Sequence, residues 1–127
     1  MDHSFKFGDK KLTRRLIDAL RSIGIAHCVS DDGFVQYSKD VAERIENGII
    51  CFLREGVFPS WQTLACPLEW TAKYKSYMHK HDIPFVEEWM DEELWFLIEG
   101  NRRPLSWKLD EGLKESEYRS RPLKRAQ

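Results

Sequence analysis

Two stretches of this chain follow the same order, and this repetition restricts its fold more than any other feature. In each, a stretch with apolar residues at helical spacing is followed by an isoleucine, Ile25 or Ile83. Two short apolar runs joined by an acidic turn come next. Apolar positions three and four residues apart line one face of a helix. Short apolar runs around a turn are typical of a β-hairpin. The sequence therefore predicts two αββ-like units.

The first unit has clear start and stop signals. A helix is predicted from about Lys10 to Ile23, with Asp9 as its N-cap and Gly24 as the residue that ends it. Strands are predicted in residues 25–29 and 34–37, around the turn 31–33, because Asp and Gly both tolerate turn conformations.

The second unit follows a longer connection. A helix is predicted after Ser38, which can cap it, and is expected to end at Gly56. Residues 57–66 are interpreted as an irregular apolar segment that folds over the core. Pro67 favours the first turn of a third helix that runs to about Lys80. A second hairpin is predicted around the turn 91–93.

Pairing the two hairpins would give an α+β fold with a four-stranded antiparallel sheet, helices on one face and one extra helix. This order of elements resembles a permuted ferredoxin-like arrangement, and the resemblance lies in element order alone. Residues 1–8 are predicted to be a flexible N-terminal arm, residues 9–100 a single α+β domain, and residues 101–127 a polar, partly disordered C-terminal extension.

The net charge, the apolar runs and the cysteine pattern favour an intracellular protein with no attraction to nucleic acid. The formal net charge is -1, so the chain lacks the basic surplus expected of a nucleic-acid-binding protein. The N-terminus has no apolar signal segment, and the run Leu94 to Ile98 is too short to span a bilayer. The three cysteines form no CxxC pair. We expect a cytoplasmic protein that does not bind membranes and needs no cofactor.

An acidic, tryptophan-bearing hairpin is the first candidate site. Acidic rims steer association and Trp is favoured at interface hot spots, so this segment could dock a protein partner or a second copy of the chain. An alternative is that its charges only keep a sheet edge from aggregating. The candidate partner-binding residues are Glu87, Glu88, Trp89, Asp91, Glu92, Glu93 and Trp95.

An aromatic stripe on the third helix is the second candidate site. Trp70, Tyr74 and Tyr77 recur at helical spacing, which is typical of a core face. Together with Trp61 they could instead line a cleft for a small ligand, since ligand sites are apolar concavities with a few polar groups.

Three functions remain open on sequence alone. The favoured one is a non-catalytic binding or regulatory module that acts through protein–protein contacts or self-association. The second is a small-ligand sensor that uses the aromatic cleft. The third is a small metal-assisted hydrolase that uses Glu87, Glu88, Asp91 and His79 or His81. Familiar catalytic motifs are absent from the sequence, so we lean towards a protein that is not an enzyme.

Overall fold

The computed structural model describes residues 1–100, which are built around one six-stranded antiparallel sheet. The strand order across the sheet is β2-β3-β1-β5-β6-β4. The α+β class is therefore confirmed. The extension predicted for residues 101–127 lies outside the described residues. The strands are β1 (His3–Phe7), β2 (Cys28–Val29), β3 (Val35–Tyr37), β4 (Trp61–Cys66), β5 (Val86–Met90) and β6 (Glu93–Glu99).

The first two helices begin where the sequence predicts, whereas the third begins at Thr71 after a 3₁₀ turn instead of at Pro67. Asp9 caps the first helix: its Oδ1 accepts the backbone N–H groups of Lys11 and Leu12 at 2.8 and 3.2 Å. The predicted second helix is continuous but contains a π-helical turn, whose flanking backbone keeps helical angles. In residues 1–100, no helix is long and apolar enough to cross a membrane. The helices are α1 (Lys10–Ser22), α2 (Lys39–Ile45), the π-turn (Glu46–Ile50), α3 (Cys51–Val57), a 3₁₀ turn (Leu68–Trp70) and α4 (Thr71–Lys80).

The flexible arm predicted for residues 1–8 is wrong, because residues 3–7 form the central strand β1. β1 pairs with β3 on one side and with β5 on the other. Phe5 and Phe7 are buried, and their rings meet edge to face at 5.0 Å. The hydroxyl of Thr13 on α1 accepts the N–H of Phe7 at 3.0 Å and donates to its carbonyl oxygen at 3.1 Å. The folded unit therefore begins at the first strand.

The two predicted hairpins form, but they do not pair with each other. β2 and β3 form the first hairpin and β5 and β6 the second, and β1 lies between them. The segment predicted as irregular instead provides β4, which pairs with β6 over six residues from Trp61 to Cys66. The sheet consequently has six strands rather than four.

Helices cover both faces of the sheet, so the predicted placement on one face is also wrong. Alternate residues of a strand point to opposite faces. On β5, Val86 and Met90 pack into the core beneath α1, α2 and α3, while Trp89 packs with the core of α4. α4 lies over β6 and β4, with the Tyr74 ring stacked on Phe96 at 6.0 Å. α4 leaves the other half of this second face uncovered. That half is formed by β3, β1 and the start of the β5–β6 turn, and it is a cleft.

Candidate functional site

We call the side of β3, β1 and β5 that α4 leaves uncovered the open face. Lys6 lies at its centre, directly opposite Trp89 in the β1–β5 register. On the other side, the Lys6 ammonium is 4.6 Å from the centre of the Phe34 ring. The open face thus presents one cation between two half-buried aromatic rings. It is the floor of a cleft with a volume of about 710 Å³, within the range of roughly 300–1,000 Å³ typical of ligand sites.

The first hairpin supplies one wall of the cleft. Gly33 adopts a φ of 89°, which an L side chain rarely takes, and so allows the tight turn. The hydroxyl of Ser30 accepts the N–H of Phe34 at 3.0 Å and donates to Asp32 Oδ1. This hydrogen bond, aided by the nearby Lys6 charge, lowers the pKa of Asp32, so its carboxylate is ionised at neutral pH.

The second hairpin supplies the other wall. Asp91 opens its turn with a φ of 55°, a conformation that Asp tolerates better than most residues. Its Oδ1 accepts the N–H of Ser4 at 3.0 Å, and its Oδ2 lies 3.3 Å from Nδ1 of His3. The exposed Glu92 follows it on the rim. In the lining of this cleft, three carboxylates (Asp32, Asp91 and Glu92) therefore face a single ammonium.

A buried ion pair lies on the opposite face. Arg54 of α3 donates from Nε and Nη2 to the two carboxylate oxygens of Glu88, at 2.9 and 2.6 Å. The Glu88 side chain is 1% exposed and that of Arg54 9%. Burial raises the pKa of Glu88, and the hydrogen bonds from Arg54 oppose that rise. The Arg54 guanidinium also lies 4.8 Å from the ring centre of Trp61. Since each charge has its partner within the pair, we assign it a structural role.

The structure divides the residues of the predicted acidic hairpin between the two faces. Trp89, Asp91 and Glu92 line the cleft, whereas Glu88 is paired with Arg54 beneath α3. Trp95 is opposite Glu88 in the β5–β6 register and shares its face. Glu87 is held by Lys75 of α4 at 2.6 Å. Glu93 is opposite Met90 in the β5–β6 register, so its side chain lies on the same face of the sheet as that of Met90. Strand alternation therefore prevents one continuous acidic surface.

Three of the four predicted cleft aromatics share the core beneath α4, and Trp61 lies on the opposite face. Tyr74 is buried against Phe96, and Trp70 is 6.4 Å from Tyr74, so both belong to the α4 core. The ring of Tyr77 contacts that of His81 at 4.3 Å. Trp61 is opposite Glu99 in the register, on the face away from α4. These residues build a core and a cation–π contact instead of a shared cleft.

The residues suggested for a metal-assisted hydrolase are also separated. Glu88 lies beneath α3, Asp91 is bound to β1, and the ring of His79 packs against Phe85 at 5.5 Å. Over the described part of the chain, no group of three or more His, Cys, Asp or Glu side chains is placed to hold a metal ion.

Sequence reasoning missed the part of the cleft that β1 contributes. Phe5 and Phe7 alternate with Ser4 and Lys6, a period of two that indicates a half-buried strand. That signal could have placed Lys6 on an exposed face. No local signal could have matched Arg54 to Glu88, which lies 34 residues away in the chain.

Comparisons with protein-family models, with curated proteins and with solved structures give no significant match to this chain.

Proposed function

We propose that this protein is a non-catalytic binding module that receives a basic, extended segment of a partner protein on its open face. The observation that supports this proposal is the composition of the cleft. Two aromatic rings, Phe34 and Trp89, flank its floor, and the carboxylates of Asp32, Asp91 and Glu92 surround it.

The chemistry of these groups favours a cationic ligand. Lysine and arginine side chains interact favourably with the faces of aromatic rings, and this interaction strengthens as the cation is desolvated. Carboxylates at a rim attract such side chains over longer distances and raise the rate of association. The Lys6 ammonium is already held over Phe34, which is the arrangement that an incoming basic side chain would repeat.

The shape of the cleft favours a peptide segment over a compact small molecule. The walls come from the tips of two hairpins, and the floor is the surface of the sheet. An extended segment rises about 3.3 Å per residue and can place alternate side chains on such a floor. A small amine remains the competing occupant, and binding measurements separate the two.

Calorimetry with short synthetic peptides tests the proposal. An extended peptide of about nine residues that carries two arginines is expected to bind, whereas a peptide with glutamates in place of the arginines is not. Glu92→Lys should weaken binding about five- to tenfold, since it replaces an exposed attraction worth up to about 1 kcal/mol with a repulsion.

Glu93→Lys is the matched control for this experiment. It makes the same charge change in the adjacent residue but on the opposite face, so affinity should change less than about twofold. Binding of the glutamate peptide, or equal losses in the two variants, would refute the proposal. If free arginine binds as tightly as the peptide, the occupant is a small amine instead of a protein segment.

A further inference from the structure

A second cleft adjoins the first along the open face. It has a volume of about 470 Å³ and lies against the start of α1. The two clefts share three lining residues, Lys6, Asp32 and Trp89. The two clefts therefore meet at these three side chains.

The side chain of Lys6 crosses the place where the two clefts meet. It leaves β1 between Trp89 and Phe34, and its Nζ donates to the carbonyl oxygen of Asp32 at 3.0 Å. This contact links the central strand to the tip of the first hairpin, across the open face. One hydrogen bond to an exposed carbonyl oxygen and one cation–π contact hold it, and both interactions are weak where water can replace them.

We propose that Lys6 is a displaceable strap, and that a basic side chain of the bound segment takes the place of its ammonium over Phe34. This inference rests on the proposed function. Displacement would join the two clefts, so that an extended segment could lie along both. The first cleft carries Asp91 and Glu92, whereas the second carries Lys10 and Arg14. Charge complementarity therefore places the basic residues of the segment at the Asp91–Glu92 end.

The strap predicts an unusually large gain in affinity for one substitution. Removing a positive charge near a basic ligand tightens binding modestly by itself, because it removes a repulsion. If Lys6 occupies the position that the ligand cation needs, its removal also frees the Phe34 ring and the Asp32 carbonyl. Lys6→Gln should therefore bind the arginine peptide about three- to tenfold more tightly than the unsubstituted protein does.

Lys11→Gln is the control for charge alone. Lys11 is exposed on α1 and lies outside the lining of both clefts. Its substitution removes the same charge without joining the two clefts, so the gain in affinity should stay below about twofold at physiological salt. Lys6→Met, which keeps most of the apolar stem, should behave like Lys6→Gln. Thermal unfolding of each variant would show that the fold is retained.

The outcomes of calorimetry separate the strap from the function it serves. Tighter binding by both Lys6 variants, with little change for Lys11→Gln, supports the strap. If the unsubstituted protein binds the arginine peptide but the Lys6 variants bind it equally or more weakly, the strap is wrong and the binding face stands. If neither the protein nor its Lys6 variants bind the peptide, both proposals fail.

Discussion

Replacing Arg54 by methionine is expected to lower the free energy of unfolding by about 3–5 kcal/mol, because it leaves a buried carboxylate without its partner. Glu88 is 1% exposed and accepts both of its short hydrogen bonds from that guanidinium. Glu46, on the π-turn, adds a repulsive charge instead of a compensating one. Urea unfolding at about pH 7 measures the loss.

The size of that loss should depend on pH. Burial raises the pKa of Glu88, and without Arg54 nothing opposes the rise. A carboxyl group whose pKa is higher in the folded than in the unfolded state binds its proton more tightly when folded. The stability that this tighter proton binding adds is fully present below the pKa of the unfolded state, ordinarily 4.5. It is lost as the pH rises through the pKa of the folded state. The deficit of Arg54→Met should therefore be smaller at about pH 5 than at about pH 8.

A double variant separates the lost partner from lost packing. Arg54→Met combined with Glu88→Leu removes the stranded charge and should recover much of the stability, since apolar replacements of buried ion pairs are often nearly neutral. A deficit for Arg54→Met below about 1 kcal/mol, the range of exposed pairs, would contradict the buried pair. So would a deficit that does not vary with pH.

The second large effect is expected at Phe5, where substitution by alanine should cost about 3–5 kcal/mol. Phe5 is 0% exposed and lies on the strand that joins the two hairpins into one sheet. The cost combines the apolar surface no longer buried with the cavity left between the sheet and α1.

Phe52→Ala is the matched control for Phe5→Ala. Phe52 lies on α3 and is 67% exposed, so the same change should cost less than about 0.5 kcal/mol. Urea unfolding of the two variants gives the comparison. Equal and small losses would mean that residues 3–7 are not an integral strand, in agreement with a flexible arm and against the described sheet.

Local elements were predictable because their signals are local. Leu12, Leu16 and Leu20 mark the buried face of α1, and Asp9 and Ser38 cap the helices that follow them. The hairpins around residues 31–33 and 91–92 follow from turn residues that tolerate unusual backbone angles.

The arrangement of these elements was not predictable in the same way. Strand order depends on pairing between distant residues, such as Phe5 with Met90, which no local period encodes. The same limit applies to β4. Its residues do not alternate clearly between apolar and polar, and Pro59 shortly before it favoured an irregular segment. Alternation along β5 by itself sends Glu88 and Trp89 to opposite faces, and pairing with β1 places Trp89 beside Lys6. The acidic hairpin therefore had to divide, and the candidate site moved to the open face.

A titration of the isotope-labelled protein with the arginine peptide, followed by backbone amide NMR, tests the binding face most directly. We expect the largest shifts on Lys6, Phe34 and Trp89 and on the turn at Asp91, while Tyr74 and Met78 of α4 should change little. Shifts concentrated on α4 or β4, or no shifts at millimolar peptide, would contradict the proposed binding face.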